Sequence, residues 1–161
     1  MHIHEDDGFN TQSLRDALGE APVVLIEIAQ RQRGLLLSPE TSDIAGFADL
    51  RGRRVVLRQN SAASQRLFDA ELTNHGLTRD DLTALPTCAR TEEELAITLH
   101  DNKAEAGFGL GALASLYNLR FVPTHSERLD LAIWRRAYFD EPMQKLLRFI
   151  RSDQLQPRAS E

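Results

Sequence analysis

The sequence predicts an α/β domain with three layers and a largely parallel sheet. Short apolar segments rich in valine, leucine and isoleucine alternate with helical segments along most of the chain. Such alternation is typical of a sheet that is covered by helices on both faces. The 161 residues suit one domain, and 42% of them are hydrophobic, which is enough for a buried core.

The strands are predicted from short apolar runs bounded by turn residues. Val23 to Ile28 form the first such run, and the polar residues 30–34 are expected to separate it from the next strand. Pro86 interrupts the weakest of the predicted strands. In chain order, the predicted strands are 23–28, 35–37, 53–58, 82–88, 104–110, 120–123 and 129–134.

The helices are predicted from apolar residues at helical spacing and from residues that favour helix ends. Leu67, Phe68 and Leu72 form one stripe of the strongest helix, and Gly76 ends it. Thr91 and Glu94 have the spacing of a capping box. The predicted helices are 11–18, 61–75, 91–102, 112–117 and one that starts at 140–142, with a single helical turn at 47–52.

Charge and cysteine content exclude several classes of function. The chain has 19 Lys and Arg against 24 Asp and Glu, a net charge of −5, which argues against direct contact with nucleic acid. The single cysteine, Cys88, rules out an internal disulfide and is expected to be buried. An acidic N-terminus and the absence of a long apolar run predict a cytoplasmic protein with no membrane partner.

The loop between the strand at 53–58 and the strongest helix is the best candidate for a ligand site. Ligands of open α/β sheets bind at the carboxyl ends of the strands, and a helix start favours an anion. Asn60, Ser61 and Ser64 supply polar side chains there, and Arg58 supplies a positive charge. The alternative interpretation is that Asn60 or Ser61 only caps the helix.

A glycine-rich segment, AGFGLG at 106–111, is the second candidate. It lacks both the Gly-Lys-Ser/Thr of a Walker loop and the glycine spacing of a dinucleotide fingerprint. Gly107 and Gly109 are instead expected to allow close backbone approach at a strand end that faces a ligand. The histidines lack zinc-protease spacing and no Gly-x-Ser-x-Gly elbow is present, so no enzyme, catalytic residue, metal site or cofactor is predicted.

Several segments occur in an order that resembles a known family. They are QRGLLLSP at 32–39, FADLRGRRVVLRQ at 47–59, AEAGFG at 104–109 and ERLDLAI at 127–133. This order is similar to the periplasmic-binding-protein-like domain of bacterial molybdate-type regulators, over residues 9–152. The resemblance implies a type II periplasmic-binding-protein fold and a small anionic ligand, either an oxyanion or a pterin-like molecule. It further implies that the domain is the effector part of a regulator linked to a helix-turn-helix.

The ligand loop of that family corresponds to residues 60–64 of this chain. Its relatives tend to have Gly-Ser-Gly-Thr-Arg where this chain has Ser61 to Gln65. Both glycines are replaced here, and Gln65 stands in place of the arginine. Since the loop has lost a positive charge, the case for a doubly charged oxyanion is weaker, and a neutral or singly charged ligand stays open.

The resemblance also implies two lobes, of which one is largely complete and the other partial. Residues 1–45 would form the crossover and part of the first lobe, 46–126 the second lobe, 127–152 the return segment and 153–161 a flexible tail. A partial lobe exposes apolar surface, so either a homodimer or a truncated gene product is expected. Two alternatives stay open: a solute-binding component of an ABC transporter, and a degenerate domain kept for oligomerisation.

Overall fold

The computed structural model describes residue 16 and residues 18–152. The predicted helix at 11–18 therefore lies almost entirely outside the described residues. The chain divides into two compact units. Unit 1 consists of Met1–Gln30 and Glu127–Glu161, and unit 2 consists of Arg31–Ser126.

The strands confirm the α/β class and give the sheet a mixed pattern. The order across the sheet is β3-β2-β4-β1-β5. Strand β2 runs parallel to β3 and to β4, whereas β1 runs antiparallel to β4, so the sheet is less uniformly parallel than the sequence predicts. The strands are β1 at Val23–Leu37, β2 at Arg54–Val56, β3 at Thr83–Ala84, β4 at Ala106–Leu110 and β5 at Arg120–Trp134.

The helices agree with the predicted positions within a few residues. They are α1 at Ala63–Asn74, α2 at Glu92–His100, α3 at Ala112–Leu116 and α4 at Glu141–Ile150. Short 3-10 turns occur at Phe47–Leu50, Arg79–Asp81 and Ala137–Phe139. Thr91 caps α2 as predicted, since its Oγ1 accepts a hydrogen bond from the Glu94 N–H at 3.0 Å.

In two places, two strands that the sequence predicts separately form one continuous strand in the structure: 23–28 with 35–37 in β1, and 120–123 with 129–134 in β5. The polar residues 30–34 do not interrupt β1, because Gln30 and Gln32 are exposed while Arg33 is buried, the alternation that a pleated strand allows. The second pair is joined through Pro123 within β5. Proline lacks an N–H and is tolerated there because β5 is at the edge of the sheet.

The core of unit 2 lies on both faces of the sheet. Leu35 and Leu37 of β1 face one way and pack with Phe68 of α1. Leu36 faces the other way and packs with Leu95 of α2. Helices therefore cover both faces, which confirms the three-layer arrangement.

Unit 1 contains the last helix and the ends of the long strands. The Arg135 N–H donates to the Pro22 carbonyl at 2.7 Å, which ties the end of β5 to the start of β1. Helix α4 has proline in its first turn, as predicted, and buries Leu147 and Ile150.

The half-buried carboxylate of Glu105, at the amino end of β2, affects how the stability of the protein depends on pH. Glu105 Oε2 accepts the Arg54 N–H at 2.9 Å, and Glu105 Oε1 accepts from Arg53 Nη1 at 3.1 Å. The Arg54 backbone N–H, and to a smaller extent Arg53, hold the pKa of the Glu105 carboxyl below its ordinary value. The ionised Glu105 carboxylate therefore stabilises the folded state fully above the ordinary glutamate pKa of about 4.3. This stabilisation is lost as the pH falls through the lower pKa that Glu105 has in the folded state.

We expect Glu105→Gln to lower the free energy of unfolding by about 1–2 kcal/mol at pH 7, because a charged acceptor is lost. The difference in unfolding free energy between wild type and Glu105→Gln should shrink towards zero in acid. Urea denaturation at pH 7 and pH 3 measures it, with the exposed Glu93→Gln as control. An equal deficit at both pH values would contradict the prediction.

Candidate functional site

One edge of the sheet in unit 2 collects the residues that can bind a ligand. Strands β2, β3 and β4 are parallel, so their carboxyl ends meet at the same edge. Each strand leads through a loop to helix α1, α2 or α3. Strand β1 runs the opposite way, and its Arg33 pairs with Leu110 at the end of β4. Arg33 is thereby brought to this edge as well.

Three charged side chains meet there and are called the Arg–Glu cluster: Arg33, Glu92 and Arg58. Glu92 Oε1 lies 3.0 Å from Arg33 Nη1 and 3.1 Å from Arg58 Nη1. The side chains of Arg33 and Arg58 are only 6% and 11% exposed, and that of Glu92 is 24% exposed. Two guanidinium groups thus share the Glu92 carboxylate in a largely buried place.

The Arg58 guanidinium is held on several sides. Its Nε donates to the Ala89 carbonyl at 3.2 Å, and its Nη2 donates to the Arg90 carbonyl at 3.0 Å. Its backbone N–H donates to Gln65 Oε1 at 2.7 Å. Arg58 is therefore fixed by the loop before α2 and by the first turn of α1, and its charge occupies a defined position.

Two atoms of the cluster are buried without a hydrogen-bond partner: Arg58 Nη1 and Glu92 Oε2. The contact from Arg58 Nη1 to Glu92 Oε1 is an ion pair that lacks hydrogen-bond geometry. A buried polar atom left unpaired costs about 1–3 kcal/mol. A side chain on Gly109 would place its Cβ 2.9 Å from Glu92 Oε2 and 2.7 Å from Leu36 Cδ1. Glycine at position 109 therefore leaves room for the Glu92 carboxylate.

The N-terminus of α1 is not capped by a side chain. Its N-cap residue is Ala62, with no side-chain cap hydrogen bond, so the capping interpretation of Asn60 and Ser61 is wrong. Ser61 is exposed and Ser64 is buried in the first turn. The N-cap residue of this 12-residue helix therefore supplies no side-chain acceptor to the first backbone N–H groups, a condition that favours an anion.

A chain of hydrogen bonds positions the loop before α1. Gln65 Nε2 donates to Asp69 Oδ1 at 3.0 Å, and Arg79 binds Asp69 through Nε at 2.7 Å and Nη2 at 2.6 Å. Arg79 Nη1 then donates to Asn60 Oδ1 at 2.8 Å. The hydrogen bonds to Asp69 raise the pKa of the Arg79 guanidinium. Gln65 and Asn60 thus hold the loop in place.

The structure brings only some of the predicted site residues together. Arg58 and Gly109 border the same carboxylate, and Asn60, Ser61 and Ser64 lie on the adjoining loop and first turn of α1. Gly107 lies further inside β4, where an added Cβ would be 3.0 Å from Val56 and 3.1 Å from Leu95. Gly107 therefore serves the packing of α2 on the sheet.

Sequence reasoning missed Arg33 and Glu92. Arg33 belongs to the polar stretch that was expected to separate two strands, and Glu92 belongs to an acidic helix start. The available signal is the two-residue period of a strand: Arg33 stands two residues before Leu35 and four before Leu37. Once β1 is recognised as continuous, Arg33 lies on the same face as these two buried leucines.

Other features of the described residues bear on function. Cys88 is exposed rather than buried, because it lies in the irregular loop between β3 and α2. The part of the chain that the structure describes contains no group of three or more His, Cys, Asp or Glu residues that could hold a metal ion. None of its helices is both long and apolar enough to cross a membrane.

The mixed sheet with helices on both faces is typical of a ligand-binding fold, and the buried arginine pair lies at its carboxyl edge. A family model described as the PBP superfamily domain matches residues 1–151. The chain therefore belongs to this periplasmic-binding-protein-like family and has its type II fold.

One curated relative and two solved structures illustrate the range of the family. YvgK of Bacillus subtilis strain 168, an uncharacterized protein, is 22% identical over 141 residues, which is 84% of this chain and 46% of YvgK. The regulatory domain of CcmR from Synechocystis PCC6803, in complex with 2-PG, superposes with a TM-score of 0.65 at 9% identity, covering 82% of this chain and 67% of that domain. The periplasmic aliphatic sulphonate binding protein SsuA from Escherichia coli has a TM-score of 0.54 at 18% identity, covering 91% of this chain and 50% of SsuA.

These neighbours are a regulatory domain and a binding protein. The chain spans about half the length of YvgK and of SsuA.

Proposed function

We propose that this protein binds a small anion at the carboxyl edge of its unit 2 sheet and acts as the effector part of a transcription regulator. The observation that carries the proposal is the Arg–Glu cluster, in which two buried guanidinium groups share one carboxylate. The uncapped N-terminus of α1, next to Arg58 along the chain, adds a second positive element.

The charge of the site favours an anion over a neutral or cationic ligand. Burial strengthens each electrostatic interaction, since fewer water molecules screen the charges. The Arg–Glu cluster has two positive side chains and one negative, whereas the whole chain has a net charge of −5. An anion is attracted to this edge although the protein as a whole repels it.

The binding test compares two arginine variants of the same strand region. We expect sulfate, molybdate, tungstate or a small organic anion to raise the Tm of the wild-type protein, because a ligand that binds only the folded state stabilises it. Arg58→Gln should weaken the binding of the active anion at least about tenfold, since a charged hydrogen bond is lost.

Arg54→Gln is the control. It removes the same charge at the opposite end of β2, where Arg54 lies 3.5 Å from Glu105. No anion-dependent rise of the Tm in the folded wild type, across the panel at tens of millimolar, would contradict the proposed function.

The regulator reading is supported by the likeness to the CcmR regulatory domain, with a TM-score of 0.65 against 0.54 for SsuA. The second candidate is a solute-binding component of an ABC transporter, which the likeness to SsuA supports. The gene and its neighbours distinguish the two candidates. A helix-turn-helix encoded in the same reading frame supports the regulator, and a neighbouring permease gene supports the transporter. A degenerate domain kept for oligomerisation would show no anion binding.

The homodimer expected from the sequence stays a prediction. Unit 1 exposes large apolar side chains, which a second copy would cover: Trp134, Phe139, Leu146 and Phe149. Sedimentation velocity at micromolar concentration measures the state in solution, and a monomer there would contradict the prediction.

A further inference from the structure

Unit 1 contains a cavity of about 560 Å³. This volume lies within the range of about 300–1,000 Å³ that is usual for small-molecule sites. Two aromatic rings, one proline ring and two guanidinium groups border the same space. The lining residues, all of which belong to unit 1, are Pro22, Trp134, Arg135, Arg136 and Phe139.

The cavity lies where β5 ends and β1 begins. The Arg135 N–H donates to the Pro22 carbonyl at 2.7 Å, and this hydrogen bond joins two of the walls. Trp134 is the last residue of β5, whereas the chain enters unit 1 at Glu127, and a strand rises about 3.3 Å per residue. The cavity is therefore remote from the strand positions at which the chain enters unit 1, and it includes no residue of the Arg–Glu cluster.

The wall that Phe139 forms is held in place without a ligand. Phe139 ends a 3-10 turn, and its N–H donates to the Arg136 carbonyl at 3.3 Å. The Phe139 ring meets the Tyr138 ring edge-on, with 5.2 Å between the ring centres. Gln144 Nε2 of α4 donates to the Tyr138 carbonyl at 2.5 Å. Because α4 anchors this turn, a ligand meets a pre-formed wall.

The two arginines of the cavity have no counter-charge. Among the residues that the structure describes, neither the Arg135 nor the Arg136 guanidinium forms an ion pair or donates a hydrogen bond. Glu141, in the first turn of α4, is already paired with Lys145 at 2.8 Å. A planar guanidinium matches the geometry of a carboxylate or sulfonate group, so the arginine pair favours an anionic ligand.

We propose that this cavity is a second binding site, specific for an aromatic carboxylate or sulfonate; the proposal does not rest on the proposed function. The aromatic body of the ligand packs against Trp134 and Phe139, and its anionic group pairs with Arg135 and Arg136. An inorganic oxyanion would leave the two rings uncovered. A neutral hydrocarbon would leave the two guanidinium groups without a counter-charge.

A second copy of the chain is the competing occupant, since the homodimer expected from the sequence would cover Trp134 and Phe139. A twofold dimer through the cavity would gather both copies of Arg135 and Arg136 at one interface. These like charges repel one another, whereas an aromatic anion neutralises them. A dimer through the exposed side chains of α4 would leave the cavity open.

The experiment uses the fluorescence of Trp134, which is the only tryptophan of the chain and therefore reports on this cavity alone. Three probes separate the two contributions: biphenylacetate has rings and a charge, biphenylacetamide has rings without a charge, and acetate has a charge without rings. We expect biphenylacetate to bind at least about tenfold more tightly than biphenylacetamide, because only the carboxylate forms charged hydrogen bonds with the arginines. Acetate should not change the fluorescence at millimolar concentration.

Matched variants assign the preference to the lining residues. Arg135→Gln combined with Arg136→Gln should reduce the advantage of biphenylacetate over biphenylacetamide at least about fivefold. Arg148→Gln combined with Arg151→Gln is the control, because it removes the same charge from exposed positions at the end of α4 and should leave the advantage unchanged. Phe139→Ala should weaken both biphenyl probes alike, and it should fold normally because the Phe139 side chain is 73% exposed.

Equal binding of biphenylacetate and biphenylacetamide, or an advantage that survives in the Arg135–Arg136 double variant, would overturn the proposal. Unchanged Trp134 fluorescence with all three probes would also overturn it. Sedimentation velocity with and without biphenylacetate then shows whether a second copy occupies the cavity instead. Anion binding at the Arg–Glu cluster is measured separately, through the effect of sulfate on the Tm of wild type and Arg58→Gln, so failure of this site and failure of the proposed function are distinguishable.

Discussion

Replacement of Gly34 by alanine is expected to lower the free energy of unfolding by at least about 3 kcal/mol, enough to unfold a protein of ordinary stability under mild conditions. An added Cβ at this position would lie 2.1 Å from the Val122 carbonyl oxygen, 2.9 Å from Pro123 Cα and 3.0 Å from the Thr124 nitrogen. All three atoms belong to the backbone of β5. A flexible side chain could rotate away from the methyl group, but a backbone in this position cannot.

The neighbours of Gly34 leave no simple route to relief. On its other side β1 pairs with β4, where Gly34 is in register with Gly109. Moving β1 away from β5 would therefore disturb the ladder that places Arg33 at the edge of the sheet. We expect loss of stability and loss of anion binding together.

Urea denaturation of Gly34→Ala and Gly46→Ala measures the effect. Gly46 is a matched control, since an added Cβ there meets no atom within 4 Å and its backbone is extended, with a φ of −173°. Gly46→Ala should change the unfolding free energy by less than about 1 kcal/mol. A Gly34→Ala protein as stable as the Gly46→Ala control would show that β5 can shift at no cost.

The position of Gly34 shows why the sequence predicts some elements better than others. The helix with Leu67, Phe68 and Leu72 was found because its signal is local: an apolar stripe followed by Gly76. The continuity of β1 was missed because residues 30–34 are polar, and their place in a strand depends on partners far along the chain. Val122 is such a partner for Gly34.

The same distinction applies to the candidate site. Arg58 is recognisable from the sequence, because it stands at the end of a strand and before a helix. Glu92 and Arg33 are 59 positions apart, and only the antiparallel pairing of β1 with β4 brings them together. Arg33 also has its guanidinium 5.9 Å from the centre of the Phe108 ring, another contact that no local pattern predicts.

Arg33 and Glu92 are expected to be strongly coupled in a double-mutant cycle. Arg33→Met keeps the aliphatic stem but removes the buried guanidinium, its ion pair with Glu92 and its approach to Phe108. We expect it to lower the unfolding free energy by about 2 kcal/mol; the loss is smaller than for an isolated buried pair because Glu92 keeps Arg58.

Glu92→Gln is expected to cost about 2–3 kcal/mol, because it leaves two buried guanidinium groups close together without their shared carboxylate. Sulfate should restore more of this loss than chloride at equal ionic strength, since a dianion can replace the missing charge. Chemical denaturation in the two salts measures the difference.

The double variant tests whether Arg33 and Glu92 are energetically coupled. Arg33→Met combined with Glu92→Gln removes one positive and one negative charge, so the net charge is unchanged and Arg58 no longer faces a second guanidinium. Its loss of stability should therefore be smaller than the sum of the two single losses by about 1–2 kcal/mol. Arg33→Met combined with Glu93→Gln should be additive, since Glu93 is exposed on the same helix. Additive losses of stability for Arg33→Met and Glu92→Gln would mean that the two side chains are neighbours without energetic coupling. The positive charge of the site would then have to be assigned to Arg58 and the α1 N-terminus alone.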